Sequence, residues 1–220
     1  MNFNYQKARE LMVENQLRPN KIKDPVILNL FKKKPKEIFL PKNIESLSYL
    51  DMDITLSPNR GYLKNLHIAQ LIKHAEIQKD HKVLHVGALT GYVTSLLSDL
   101  CFEVFAIEEE NQHLLILKNN INKNKITNVK ILDGSFFKEG NLSNAPFDRI
   151  FIDCPMNRVN ENLLNQLSED LGKIIMIEKK HENLSKAIKI TKNKKNFSRE
   201  FLFDVFSNYE LYSEKKVFVF

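Results

Sequence analysis

The chain has 220 residues, 43% of them apolar, a net charge of +6 and two cysteines. That length and apolar fraction suffice for one substantial core in a single α/β domain, and continuous apolar runs such as 174–177 and 217–220 fall far short of the ~20 residues of a membrane-spanning helix. Cys101 and Cys154 lack metal-ligand spacing and read as buried free thiols.

The opening MNFNYQKARE has neither the apolar core nor the small-residue cleavage site of a secretory signal, so a cytoplasmic location is expected. Over residues 4–17 the apolar positions Tyr5, Ala8, Leu11, Met12 and Val13 recur at helical spacing, and Arg18-Pro19-Asn20 supplies the stop. A second helix is predicted from Pro25 to about Phe31, because Asp24 is a good N-cap and Pro25 suits the first helical position. Pro35 and Pro41 then break the pattern. Residues 44–60 have no clear period and end in the loop LSPNRG, after which Leu66, Ala69, Ile72 and Ala75 mark a helix over 63–77.

From Lys82 onward strands alternate with helices, which predicts a parallel sheet covered on both faces. The predicted strands are 83–86, 103–107, 129–132, 149–153 and 173–177, with helices at 92–100, 111–122 and 160–167 as right-handed crossovers. Further strands at 187–191, 199–206 and 215–220, around a turn at 192–196, add an antiparallel edge. The expected fold is therefore α/β: a Rossmann-like, doubly wound, mostly parallel sheet with an N-terminal helical extension and an antiparallel C-terminal edge. Residues 1–78 form the extension and substrate loop, and 79–220 the core, of one domain.

Three strand ends carry the candidate chemistry. In KVLHVGALTGY an apolar strand runs into Gly87 and then Gly91 before a helix begins at Tyr92. In a doubly wound sheet, ligands settle at the carboxyl ends of the strands beside the switch point, and glycine permits strained dihedrals and close approach there. Leu89 occupies the middle position, so neither a dinucleotide fingerprint nor a phosphate loop is complete. In FEVFAIEEE the strand ends at Glu108, twenty-one positions after Gly87, where a carboxylate accepts from ribose hydroxyls; Glu109 and Glu110 compete for that role. In VKILDGSFF, Asp133 closes the third strand and Gly134 turns the chain, placing an acceptor for an adenine amino group. Turn residues of any α/β domain explain each feature singly, but Gly, Glu and Asp in this order at successive strand ends point to an adenosine-bearing ligand.

Over nearly its whole length the chain resembles the protein-L-isoaspartate O-methyltransferases. MVENQLRPNKIKDPVILNLFKKKPKEIFLP is similar to that family's opening, VLHVGALTGYVTSLLS to its cofactor motif, and APFDRIFID to its following strand. The resemblance implies S-adenosylmethionine as cofactor, held by Gly87, Ala88, Leu89, Gly91, Glu108, Asp133 and Gly134. It implies an isoaspartyl carboxylate of a damaged protein or peptide as methyl acceptor. Such a carboxylate is ionised near neutral pH and needs no general base, and positioning alone supplies ~7 kcal/mol or more toward an in-line displacement.

The chain departs from the family pattern at three places. His85 stands where the family usually has an acid, Leu89 where it has a glycine, and LSPNRGYLKN where it has a Gly-rich stretch ending Thr-Ile-Ser, so that Leu63 takes the position of the active-site serine. Arg60, within that loop, is the candidate for orienting a substrate carboxylate through paired N–H donors, with a surface arginine capping the loop as the alternative. Asp153-Cys154-Pro155-Met156 lacks the second-position proline of amino-group methyltransferases. Two rival readings stand beside the main one: a methyltransferase for nucleic acid or amines, suggested by the basic charge, and a non-catalytic cofactor-binding relative, suggested by Leu63. The lysines at 32–36, 179–180 and 189–195 are scattered without interleaved aromatics and read as a solvated surface. No metal site is expected from His67, His74, His81, His113 and His181.

Overall fold

The computed structural model describes residues 3–132, 143–157, 159 and 161–211. Helix α1 (Tyr5–Met12) begins where the Asn4 side chain accepts the Lys7 N–H at 2.9 Å, and it runs directly into a π-helical turn, Val13–Leu17. The wider turn, closed by the Arg18 N–H on the Val13 carbonyl, keeps Met12, Val13 and Leu17 together in the core. Helix α2 (Pro25–Lys33) starts as predicted, with Asp24 accepting the Val26 N–H at 2.8 Å. It continues two residues beyond Phe31, where Lys32 and Lys33 suit the negative end of the helix dipole.

The stretch read from sequence as loop contains a short antiparallel hairpin. Strand β1 (Ile54–Ser57) pairs with β2 (Arg60–Tyr62) through Ile54–Tyr62, Thr55–Gly61 and Ser57–Arg60, with a register shift at the tip. Helix α3 (Asn65–Ala75) follows.

The main sheet is built from β3 (Lys82–Val86), β4 (Glu103–Ile107), β5 (Val129–Leu132), β6 (Arg149–Met156), β7 (Asp170–Lys179), β8 (Ser185–Asn193) and β9 (Asn196–Val205). Helices α4 (Tyr92–Ser98), α5 (Asn111–Lys123) and α6 (Glu161–Asn165) lie in the connections. The strand order is β5-β4-β3-β6-β7-β8-β9. The first five are parallel, and β8 and β9 run antiparallel at the edge. This is the doubly wound, mostly parallel sheet with an antiparallel edge that the alternation of elements predicts. The strand expected at 215–220 lies outside the described residues.

Both faces are covered, which is why the central strands are continuous apolar runs. On one face Val83, Val104, Phe151 and Ile175 join Met12, Leu17, Phe31 and Phe39 from the N-terminal segment, together with α3 and α4. On the other, Leu84, Phe105, Ile150, Ile174 and Met176 pack with Leu163 of α6. The chain winds outward from β3 through β4 to β5 and then returns to β6 on the opposite side of β3. The switch point therefore falls between β3 and β6, where ligands of such sheets bind.

Candidate functional site

The loop after β3 is drawn onto the end of β4, because the Gly87 and Ala88 N–H groups both donate to the Ile107 carbonyl, at 2.9 and 3.0 Å. Its backbone is left-handed at Gly87 (φ +81°), Leu89 (φ +52°) and Gly91 (φ +96°). Leu89 thus adopts the conformation a glycine would take more readily. Gly91 opens α4 without a side-chain cap of its own. Tyr62 supplies the missing acceptor: its buried hydroxyl takes the Tyr92 N–H at 3.0 Å and lies 2.9 Å from the Thr90 hydroxyl.

Glu108 stands at the end of β4, facing this loop, and is 1% exposed. Its Oε1 accepts from Arg60 Nη1 (3.3 Å) and the Glu110 N–H (3.0 Å), and its Oε2 from Arg60 Nη2 (2.8 Å) and the Leu89 N–H (2.7 Å). An ionised carboxylate offers about four lone-pair sites. All are taken by the protein's own donors. Burial pushes the Glu108 carboxyl up, but the Arg60 charge and these hydrogen bonds outweigh it and hold the group below the ordinary carboxylate range.

Arg60 is therefore not a surface arginine. It is 4% exposed, and the carboxylate it grips through paired N–H donors is Glu108, forty-eight residues away in sequence. Its Nε is buried without a hydrogen-bond partner.

The segment after β9 completes the enclosure. The Tyr209 hydroxyl lies 3.0 Å from Thr55 Oγ1, the Glu210 N–H donates to the Asn59 carbonyl at 2.9 Å, and the Leu211 N–H donates to the Pro155 carbonyl at 2.7 Å. Leu211 rests on Gly87 so closely that a Cβ there would meet Leu211 Cδ1 at 2.7 Å and Arg60 Nη2 at 3.4 Å. The cavity left among Arg60, Val86, Gly87, Ile107, Glu109 and Leu211 is about 10 Å³. That is room for roughly one water molecule.

His85, in the position of the family's acid, is wholly buried. Its Nε2 lies 3.1 Å from Asp153 Oδ1 and its Nδ1 2.9 Å from Thr94 Oγ1. The Asp153 carboxylate accepts the Nε2 hydrogen, and with the Thr94 hydroxyl at Nδ1 the imidazole ties β3 to β6 and α4. Asp133 and Gly134 lie outside the described residues. The structure thus brings together Arg60, Gly87, Ala88, Leu89 and Glu108 at the switch point. It adds Tyr62, Tyr209 and Leu211, which carry no local sequence signal because their partners are 28 to 154 residues away.

Beta-strand ends that meet a glycine-bearing turn and a buried carboxylate at the switch point of a doubly wound sheet define a nucleoside-binding class of α/β protein. The profile of the protein-L-isoaspartate(D-aspartate) O-methyltransferase family matches residues 6–205, and the chain belongs to that family. Among its relatives, the protein-L-isoaspartate O-methyltransferase of Methanoculleus marisnigri is 27% identical over 163 residues, covering 74% of each chain. Protein-L-isoaspartate O-methyltransferase 1 of Syntrophobacter fumaroxidans is 27% identical over 176 residues, 79% of this chain and 80% of the relative. Two solved structures share the fold. A Plasmodium falciparum chain assigned as a protein-L-isoaspartate O-methyltransferase, in complex with S-adenosyl-L-homocysteine, superposes with a TM-score of 0.77 at 20% identity, over 96% of this chain and 99% of that one. A second protein-L-isoaspartate O-methyltransferase gives 0.76 at 19% identity, over 93% of this chain, which spans 65% of that structure's length.

Proposed function

We propose that the chain is an S-adenosylmethionine-dependent O-methyltransferase acting on isoaspartyl carboxylates of damaged proteins or peptides. The observation that carries this reading is family membership across 6–205, joined to the meeting of the Gly87–Gly91 loop and Glu108 at the switch point. The names of the relatives and the S-adenosyl-L-homocysteine bound by the Plasmodium falciparum neighbour support the same acceptor and cofactor class. We assign cofactor contacts to Gly87, Ala88, Leu89, Gly91, Glu108, Asp133 and Gly134, and orientation of the acceptor carboxylate to Arg60. Residues 1–78 serve as the helical extension with the substrate loop, and 79–220 as the cofactor-binding core.

The backbone frame suits an adenosine moiety, but the side chains as they stand do not fit it. Small-molecule pockets run to about 300–1,000 Å³, against the ~10 Å³ left here, and Glu108 has no acceptor site to spare. The chain's own contribution to acceptor binding rests on Arg60, whose planar pair of donors matches a carboxylate once it is free of Glu108.

A cytoplasmic location belongs to the same reading; among the described residues no helix is long and apolar enough to cross a membrane. Lys32, Lys34, Lys64, Lys130, Lys173, Lys179, Lys180 and Lys189 are each paired with an acid, which speaks against these eight serving a nucleic-acid acceptor. A second reading, a relative that binds the cofactor without turnover, is favoured by Leu63, which is 0% exposed and carries no hydroxyl.

Calorimetry with S-adenosylmethionine and S-adenosylhomocysteine, followed by a radiolabel assay on an isoaspartyl peptide, tests the proposal. Binding with label transfer is expected. Binding without transfer selects the second reading, and no binding of either compound at millimolar concentration removes both.

A further inference from the structure

We propose that Arg60 and Leu211 form an internal latch on the switch-point pocket, so that a ligand enters only when the 207–211 strap withdraws and the Arg60–Glu108 pair opens. The inference rests on reading that pocket as the cofactor site, and it concerns how access to the site is controlled.

Two independent elements close the pocket from different directions. Arg60 comes from the β1–β2 hairpin and takes one lone-pair site on each Glu108 oxygen, while the Leu89 and Glu110 amides take the others. Leu211 comes from the strap after β9 and occupies the space above Gly87, at the distance where even one added carbon on the glycine would collide. The same strap is fastened to both walls of the pocket. Tyr209 and Glu210 hold the hairpin, through Thr55 and Asn59, and Leu211 holds the end of β6, through Pro155. The Lys179–Glu210 ion pair adds a fourth attachment. Withdrawal of the strap therefore loosens the hairpin that carries Arg60, and the two closures open together.

In the closed arrangement Arg60 Nε is buried with no protein acceptor among the described residues, beside the small cavity that Arg60 lines. The strap belongs to no β-ladder: it is held by isolated hydrogen bonds and by the side chains of Ser207, Tyr209, Glu210 and Leu211, and it follows Phe206, which is 72% exposed. Segments outside the ladders open at lower free energy than core strands. A ribose supplies two hydroxyl donors that replace the Arg60 donors on Glu108. Displaced from Glu108, Arg60 keeps only Glu110, 3.6 Å from its Nη1, as an acidic neighbour, and its second guanidinium nitrogen is freed for an acceptor carboxylate.

The test uses the full chain and three variants, Leu211→Ala, Arg60→Gln and the double variant, with S-adenosylhomocysteine as the probe in calorimetry. Hydrogen exchange of the Leu89 amide, which is bonded to Glu108, is followed in parallel. Leu211→Ala touches no charge and keeps the proposal testable if Arg60→Gln folds poorly. The expected result is at least tenfold tighter binding by Leu211→Ala than by the natural chain, together with at least tenfold faster exchange at Leu89. A tenfold gain corresponds to an open fraction of about one tenth in the natural chain. Equal affinity for all four proteins overturns the latch and leaves the functional reading intact. Faster Leu89 exchange in the variants, with no binding by any of them, supports the latch and removes S-adenosylmethionine as the ligand. Unchanged exchange with no binding overturns both.

Discussion

Tyr209 lies against Gly61 so closely that a Cβ at position 61 would stand 2.6 Å from its Cζ and its hydroxyl oxygen, and 2.3 Å from the Ile54 carbonyl oxygen. One of those neighbours is backbone, so an alanine at 61 cannot be absorbed by a rotamer change alone. Gly61→Ala is expected to destabilise the protein by roughly 1–3 kcal/mol, the usual cost of overpacking, read as a lower urea midpoint. A midpoint equal to that of the natural chain would contradict the packing described.

The buried Arg60–Glu108 pair should behave asymmetrically under substitution. Removing one partner strands a buried charge, at about 3–5 kcal/mol, whereas removing both costs much less. Arg60→Met alone, which strands the Glu108 carboxylate, is thus expected to lose more stability than Arg60→Met with Glu108→Gln, and a double-mutant cycle in urea measures the coupling. Additive losses would show that the pair is not coupled.

The same pair sets an acid limit. Glu108 ionises more readily in the folded chain than at its ordinary value of 4.5. Its contribution is complete above that value and is lost as pH falls through the lower folded value. The urea midpoint of the natural chain should drop between pH 5 and 3, values chosen to bracket roughly 4.5. That part of the drop should be absent in Glu108→Gln, and identical acid profiles would be the contrary result.

Lys36 gives a prediction of the same sense in a higher pH window. Its ammonium is fully buried between the rings of Tyr62 and Tyr92, each centroid at 5.4 Å, and donates to Asn65 Oδ1 at 3.1 Å. Burial pulls its pKa from 10.5 to about 7, against the opposing pull of Asp53 and Asp153. Between those values the unfolded chain binds more protons than the folded one, so stability rises with pH across that window. Lys36→Met should remove this component, seen as a flatter series of urea midpoints from about pH 7 to 9. An unchanged slope in the variant would refute the assignment.

Tyr62→Phe removes the hydroxyl that accepts the first N–H of α4 while leaving the ring in place. A buried donor left unsatisfied costs about 1–3 kcal/mol. The expected signs are a lower melting temperature and faster hydrogen exchange at the Tyr92 amide. Unaltered exchange there would mean that another group satisfies it.

The central sheet was legible in the sequence because its strands are buried on both faces. Runs such as Val83-Leu84-His85-Val86 and Val104-Phe105-Ala106-Ile107 interrupt the helical period so sharply that both strands are placed within a residue. The hairpin was not legible. Its strands are four and three residues long, and Arg60-Gly61-Tyr62 is buried by Glu108, Tyr209 and Thr90, partners that no local window contains. Lys36 was hidden for a related reason: it sits in the run KKKPK, which reads as a solvated face, and only the tertiary approach of Tyr62 and Tyr92 encloses it. Arg60 grips a carboxylate through paired donors, but that carboxylate is Glu108 of the chain itself, a partner no local window contains.

Strand β2 is only three residues long, and each residue is committed to a different part of the molecule: Arg60 to β4, Gly61 to the strap and Tyr62 to the start of α4. Exchanging this hairpin in a chimera would therefore disturb contacts at positions 108, 209 and 90 together, so the three residues of β2 act as one unit that couples distant parts of the chain.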